Sequence, residues 1–156
     1  MLNIDYNSLL KHINSNGYVA ELQKETDQIA VILNIDNVQY PLFIRILSEG
    51  PVLQLLVFLP CSVIKKTIND LSRLLHLLNK EMDIPGFGMD ETAGVVFYRI
   101  TIPSLNKKID KMLLDTYLNS MQVICKSFTP VIINVLQGTM TLEAVMQKAK
   151  DAHQKK

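Results

Sequence analysis

The sequence predicts an α+β domain in which long helices pack on one face of an antiparallel sheet. Two observations predict this fold: several apolar, β-branched segments are separated by short turns, and two long amphipathic segments have helical periodicity. Short connections between successive strands favour antiparallel neighbours. The expected order is helix, antiparallel strands, long helix, hairpin and long helix, with helices and strands segregated as in other α+β folds.

The length and composition of the chain fit one globular domain. The chain has 156 residues, 48% of them hydrophobic and 20% charged, and its net charge is +1. This balance lacks the basic surplus of a nucleic-acid-binding domain. No apolar run approaches the roughly 20 residues of a spanning helix, and the first residues lack a signal-peptide pattern. We therefore expect a cytoplasmic protein with reduced thiols and no membrane insertion.

We expect residues 1–138 to form a single domain and residues 139–156 to form a C-terminal helical extension with a polar tail. The first helix is predicted over residues 4–16, with Asp5 as its N-cap and Gly17 as its stop signal. Strand-like segments follow at residues 18–24, 29–35, 38–47 and 52–59.

The connections and the prolines refine this prediction of the sheet. Asp36 and Asn37 suit a two-residue hairpin turn, and residues 48–51 suit a second turn. Pro41 cannot donate to a strand ladder, so it predicts an edge strand or a bulge. Residues 52–59 are apolar at nearly every position, which predicts a central strand.

The second helix is predicted to begin after Ser62 as its N-cap. Its apolar residues recur at spacings of three and four, so they fall on one face of the helix. This apolar arc is wide enough to cover a sheet and leave a margin for a second partner. The candidate surface for self-association or for a partner consists of Leu71, Leu74, Leu77 and Leu78.

The second half of the chain predicts a hairpin and further helices. A short strand at residues 86–90 pairs with a strand at residues 94–102, in which Arg99 is interpreted as edge-facing or salt-bridged. A long helix is predicted over residues 109–128. Pro130 kinks or restarts it, Gly138 stops it, and Thr141 caps a last helix.

No group of residues in the sequence has the pattern of a catalytic or metal site. Cys61 and Cys125 lack a neighbouring activating group, so we interpret them as inert thiols. The three histidines lie in separate segments. We interpret His12 as a partly exposed helix histidine, with a partner contact as the alternative, and His76 as structural or peripheral. The carboxylates between Glu81 and Glu91 lack the EF-hand pattern and are interpreted as solvated loop charge. We expect no enzyme activity, no cofactor and no bound metal.

Two segments resemble a known family. VQYPLFIRILSEGPVLQLLVFLP, at residues 38–60, forms a strand, an acidic-glycine turn and a strand that ends in proline. LLHLLNKEMDIPGFGMDETAGVVFYRITIP, at residues 74–103, forms a helix ending near a Leu-Asn pair, then a short strand, a turn and a longer strand. Both are similar to the YbjN-type pattern, and the order of the elements resembles the type III secretion chaperone-like fold, which class I secretion chaperones share with YbjN-type bacterial proteins.

The resemblance implies a homodimer that binds an extended peptide or a regulatory protein. We therefore expect a non-catalytic protein-binding module that binds a partner protein or peptide as a dimer, with sheet edges available to accept a strand. Two alternatives stay open: a structural or regulatory subunit of a bacterial assembly, and a small enzyme of unknown type.

Overall fold

The computed structural model describes residues 1–47 and 52–155. The predicted turn at residues 48–51 lies outside the described residues. The strands are β1 (Leu2–Asn3), β2 (Ala20–Gln23), β3 (Gln28–Ile35), β4 (Val38–Leu47), β5 (Val52–Ser62), β6 (Phe87–Asp90), β7 (Val95–Pro103) and β8 (Lys108–Ile109). The α-helices are α1 (Tyr6–Ser15), α2 (Ile68–Glu81), α3 (Lys111–Gln137) and α4 (Leu142–Gln154).

The sheet has six antiparallel strands in the order β2-β3-β4-β5-β7-β6. This arrangement confirms the predicted α+β fold and places the apolar strand β5 in the interior of the sheet. A separate two-stranded pair joins β1 to β8, where Leu2 lies opposite Ile109. That pairing was not predicted, because each strand has only two residues.

One face of the sheet carries the hydrophobic core. Side chains alternate along each strand, and on β7 the inner positions Val96, Tyr98, Ile100 and Ile102 are all buried, as the alternation predicts. Leu9 and Ile13 of α1, Leu118 of α3 and Leu142 of α4 belong to the same core. The helices therefore pack on this face, as predicted.

The β3–β4 hairpin confirms the predicted two-residue turn. Asp36 and Asn37 have φ values of 50° and 63°, and Ile35 pairs with Val38 on either side of them. Two consecutive positive φ values match the twist of a hairpin, and Asn and Asp tolerate them better than most residues.

The prediction of an edge strand is wrong for β4 as a whole, because β4 lies between β3 and β5, but Pro41 itself lies outside the ladder with β5. Pro41 pairs with Ile32 of β3, and the pairing between β4 and β5 ends at Leu42 and Val57. Counting from the hairpin turn, Pro41 occupies a non-hydrogen-bonded position toward β3, so its nitrogen points toward the β5 side. The missing N–H therefore falls just beyond the end of that ladder.

The predicted cap of the second helix is also wrong. Ser62 is the last residue of β5 and pairs with Val95, and a 3-10 turn at Lys65–Thr67 precedes α2. Thr67 is the N-cap residue, but its side chain does not cap the helix. Its hydroxyl instead donates to the carbonyl of Leu136 on α3.

The other helix ends agree better with the sequence. Asp5 and Thr141 cap α1 and α4 by accepting the N–H groups of Ser8 and Ala144. The third helix begins two residues later than predicted, after Asp110, and continues as one helix through Pro130 to Gly138, whose φ is 74°. Its first predicted residue, Ile109, belongs to β8. The domain boundary at residue 138 stays a prediction.

Candidate protein-binding surfaces

The four predicted surface leucines of α2 separate into two pairs. Leu71 and Leu74 are 0% and 1% exposed and are part of the core. Leu77 and Leu78 are half-buried and pack against the edge of the core. Only this second pair has exposed area to offer a partner, because the apolar arc of α2 is used mainly within the chain.

The end of α2 is fixed to β6 by Asn79. Its side-chain oxygen accepts the N–H groups of Gly86 (3.1 Å) and Phe87 (2.8 Å), and its Nδ2 donates to the carbonyl of Phe87 (2.8 Å). The Tyr98 hydroxyl donates to the Ile84 carbonyl in the same connection (2.7 Å). These hydrogen bonds thus hold the segment between α2 and β7 in place.

The outer face of the sheet, opposite the helices, carries a contiguous group of apolar side chains. Strand register places Ala30, Phe43 and Leu56 in one row, and it pairs Ile32 with Pro41 and Phe58 with Phe97. None of these residues belongs to the core or packs against it. We call them the apolar band: Ala30, Ile32, Pro41, Phe43, Leu56, Phe58 and Phe97.

Two aromatic rings of the apolar band contact each other, and the band is partly accessible. The rings of Phe43 and Phe58 meet edge to face at 5.7 Å. Ile32 is 45% exposed, and the other members are half-buried. A contiguous apolar surface of this kind is typical of a protein-interaction site.

A row of polar residues borders the apolar band on one side. The Gln28 side chain is buried; it donates to Gln23 (2.8 Å) and accepts from Arg45 Nε (2.7 Å). Arg45 lies opposite Gln54, and Gln54 lies opposite Thr101. This polar row crosses five strands, so the outer face has an apolar centre with a polar border, as many interfaces do.

Opposite charges lie at the two ends of one row. Glu21 on β2 lies opposite Ala30, and Arg99 on β7 lies opposite Leu56. The Arg99 guanidinium lies over the Phe97 ring, 5.5 Å from its centroid. Because β7 has neighbours on both sides, the edge-facing interpretation of Arg99 is wrong, and its described contact is with an aromatic ring rather than a carboxylate.

A groove of about 560 Å³ lies between the end of α2 and the middle of α3. Met82, Ile84, Ile124 and the 64% exposed Val123 give it an apolar floor. Glu81 and Asp83 add two carboxylates at its lining. The groove therefore suits an apolar segment that carries positive charge.

The two thiols have surroundings that keep them protonated. Burial raises the pKa of Cys125 to about 12, and burial also raises the pKa of the half-buried Cys61. The thiolate is the nucleophile and metal ligand, so both groups are poorly suited to those roles at neutral pH.

His12 has a structural role that the sequence could not reveal. Its Nε2 lies 2.8 Å from Asp115 Oδ1 on α3, and Asn16 Nδ2 donates to the same oxygen (2.8 Å). The contact joins α1 to α3 across 103 residues of sequence. His76 is exposed on α2, and the carboxylates between Glu81 and Glu91 are also exposed. In the described ranges, no three His, Cys, Asp or Glu side chains form a metal-ligand group.

The YbjN family profile, described as "Putative bacterial sensory transduction regulator", matches residues 5–134. The chain belongs to the YbjN family. The crystal structure of YbjN from E. coli, titled a "putative transcription regulator", has a similar fold, with a TM-score of 0.62 at 9% identity. That match covers 95% of this chain and 96% of the E. coli chain.

A chaperone structure has the same fold as this YbjN-family chain. A chain of the HopA1-SchA chaperone-effector complex matches with a TM-score of 0.51 at 20% identity, covering 80% of this chain and 93% of the other. No curated protein sequence matches. These matches confirm the predicted YbjN-type, secretion chaperone-like fold. Among the described helices, none has the length and hydropathy to span a membrane.

Proposed function

We propose that this YbjN-family chain is a non-catalytic protein-binding module that pairs with a second copy through its outer sheet face and binds a partner protein or peptide. The apolar band is the observation that supports pairing most directly. Its side chains cross strands β3, β4, β5 and β7 without helical cover from the described chain. Covering such a surface with protein gains about 25 cal/mol per Å² of apolar area.

A second copy suits the outer face because the face is complementary to itself. A twofold axis parallel to the strands and passing along β4 would place apolar band on apolar band and polar row on polar row. It would also reverse the direction of each row, so Glu21 of one copy would face Arg99 of the other. The two residues are four strand spacings apart, about 19 Å, with β4 midway. Sheets packed face to face in this way lie about 10 Å apart.

The proposal that the module is non-catalytic rests on the chemistry of its reactive groups. The raised pKa values of Cys61 and Cys125 favour the unreactive thiol form. His12 Nε2 contacts Asp115 of α3 and Asn16, so its ring is engaged in a contact between two helices. These groups are better explained by packing and by helix–helix contacts than by a reaction.

The groove between α2 and α3 is the candidate site for the partner peptide. It is separate from the outer sheet face, and its apolar floor with Glu81 and Asp83 favours a segment with apolar and basic side chains. Leu77 and Leu78, the accessible pair of the predicted α2 surface, remain the alternative site for self-association. Affinity purification from the native cell would identify the partner.

Light scattering on the purified chain tests the pairing surface. We expect a dimer, and we expect Phe43→Glu with Leu56→Glu to yield a folded monomer, because two charges would lie at the centre of the interface. Leu77→Glu is the matched control and leaves the dimer intact. A wild-type chain that is monomeric in light scattering would overturn the proposed pairing. A dimer that is disrupted only by Leu77→Glu would assign the interface to α2.

A charge exchange tests the twofold arrangement. Glu21→Arg and Arg99→Glu should each weaken the dimer by about tenfold, because each places like charges opposite one another. The double variant should regain most of the wild-type affinity, since it restores an opposite pair. A double variant that is no tighter than either single variant would show that Glu21 and Arg99 do not meet across the interface.

A further inference from the structure

A second surface, at residues 105–113, combines exposed apolar and basic side chains. Leu105, Met112 and Leu113 are 86%, 78% and 44% exposed. Three exposed lysines lie between Leu105 and Met112 along the chain. We call these six residues the basic–apolar corner: Leu105, Lys107, Lys108, Lys111, Met112 and Leu113.

Backbone contacts fix the shape of the corner. The N–H of Lys108 donates to the Leu105 carbonyl (3.3 Å), which closes a turn that has positive φ at Asn106 and Lys107. Next, Ile109 is buried and pairs with Leu2. The first turn of α3 follows directly, and Asp110 accepts the N–H of Leu113 there (3.0 Å). The turn, the β1–β8 pair and the capped start of α3 thus hold the corner in place.

The charge of the corner is positive on balance. None of its three lysines forms an ion pair within the described chain. Asp110 is the carboxylate within the segment, and its side chain is engaged in capping α3. The helix N-terminus adds partial positive charge beside Lys111. A matching surface would be anionic and would accept apolar side chains.

We propose that the basic–apolar corner docks on the surface of an anionic lipid bilayer. Lysines near such a surface are attracted to its anionic headgroups, and apolar side chains that flank them enter the boundary of the acyl chains. Leu105 is the first residue of a turn and is 86% exposed, so it can enter a deformable layer without a preformed pocket. Nucleic acid and acidic proteins share the attraction to lysine, but nucleic acid offers little to the exposed leucines and methionine.

Vesicle flotation with the full chain tests this proposal. The probes are phosphatidylcholine vesicles with and without 30% phosphatidylserine, at about 0.1 M and 0.5 M salt, where screening differs strongly. We expect binding to the phosphatidylserine vesicles alone and a loss of at least tenfold at high salt. Equal recovery with both vesicle types, or with neither, would overturn the proposal.

Paired variants distinguish a specific role of the basic–apolar corner from a general effect of charge or of exposed apolar side chains. Lys107→Glu with Lys111→Glu should abolish binding, whereas Lys148→Glu with Lys150→Glu on α4 makes the same charge change and should retain it. Leu105→Ser with Met112→Ser should reduce binding by at least tenfold, whereas Val19→Ser with Ile64→Ser should not. Circular dichroism checks that each variant is folded.

Two results would reject the lipid surface even if the lysines proved important. One is unchanged vesicle binding by the Leu105 and Met112 variant. The other is binding to duplex DNA or heparin that exceeds binding to the anionic vesicles, which would assign the corner to a polyanion instead. The outcome is independent of dimerisation through the apolar band, because the Phe43 and Leu56 variant should bind vesicles through the same corner.

Discussion

Asn79 binds both backbone groups of Phe87: its side-chain oxygen accepts the Phe87 N–H, and its side-chain nitrogen donates to the Phe87 carbonyl. One side chain thus occupies the place of a neighbouring strand at the edge of β6. The same side chain also accepts the Gly86 N–H, so it joins the end of α2 to the glycine-containing turn and to β6. The segment positions β6 against both α2 and β7.

The first prediction concerns the stability that Asn79 provides. Asn79→Ala would leave the N–H groups of Gly86 and Phe87 and the Phe87 carbonyl without their partner. Partly buried groups that lose a partner cost about 1–3 kcal/mol, so we expect the free energy of unfolding to fall by about 2–3 kcal/mol. Urea denaturation measures this change. Asn69→Ala, at an exposed site of the same helix, should change it by less than about 0.5 kcal/mol; similar losses in both variants would contradict the role of Asn79.

The second prediction concerns the close approach of β6 and β7. A Cβ atom added at Gly86 would lie 1.9 Å from the Arg99 carbonyl oxygen, which is a backbone atom that cannot move aside. We expect Gly86→Ala to lower the free energy of unfolding by about 3 kcal/mol, at the upper end for overpacking.

Gly94→Ala is the matched control for Gly86→Ala. Gly94 has a φ of 70° and no atom within 4 Å of an added Cβ. Gly94→Ala should therefore lower the free energy of unfolding only by the roughly 1–2 kcal/mol that a non-glycine residue costs in the left-handed conformation. Thermal and urea unfolding of both variants measure the difference. A Gly86→Ala protein as stable as Gly94→Ala would mean that the two strands are farther apart than described.

The third prediction concerns pH and the buried thiol of Cys125. Burial raises its pKa from 9.0 to about 12, so the folded state keeps the proton over a range in which the unfolded state loses it. The contribution of the protonated Cys125 thiol to the free energy of unfolding is complete below pH 9 and declines as the pH rises from 9 toward 12. We expect a lower urea midpoint at pH 10 than at pH 7. Tyr98, whose pKa burial also raises to about 12, contributes in the same direction.

Cys125→Ala and thiol labelling check the assignment to Cys125. The variant should be less stable at pH 7, because it leaves a small cavity, but its stability should depend less on pH. At pH 8, a disulfide reagent should label Cys61 slowly and Cys125 only on unfolding. Rapid labelling of both thiols in the folded protein would show that Cys125 is accessible.

The sequence predicts the parts of the fold that depend on local chemistry. Alternation along β7 identifies its buried face, and a side chain that accepts a nearby N–H identifies the caps at Asp5 and Thr141. Ser62 has the same capping chemistry but lies in β5, because pairing with Val95 extends the strand past Pro60. A tertiary contact overrides the local preference there.

The candidate surfaces were harder to predict because they depend on register and on distant contacts. The spacing of leucines on α2 identifies an apolar face, but it cannot show that Leu71 and Leu74 are used within the chain. Phe43, Leu56 and Phe97 lie far apart in sequence, and only strand pairing places their rows together. The sequence signal that was available was the apolar character of β5 on both faces, which indicates a strand with an apolar outer side.

The two outermost strands of the sheet, β2 and β6, have four residues each, whereas the strands between them have eight to eleven. A short border offers few free backbone groups on which another chain could extend the sheet. Molecules of this protein are therefore poorly equipped to polymerise side by side into fibres. The proposed dimer would close after two subunits and cover the apolar band, which would favour solubility at high concentration.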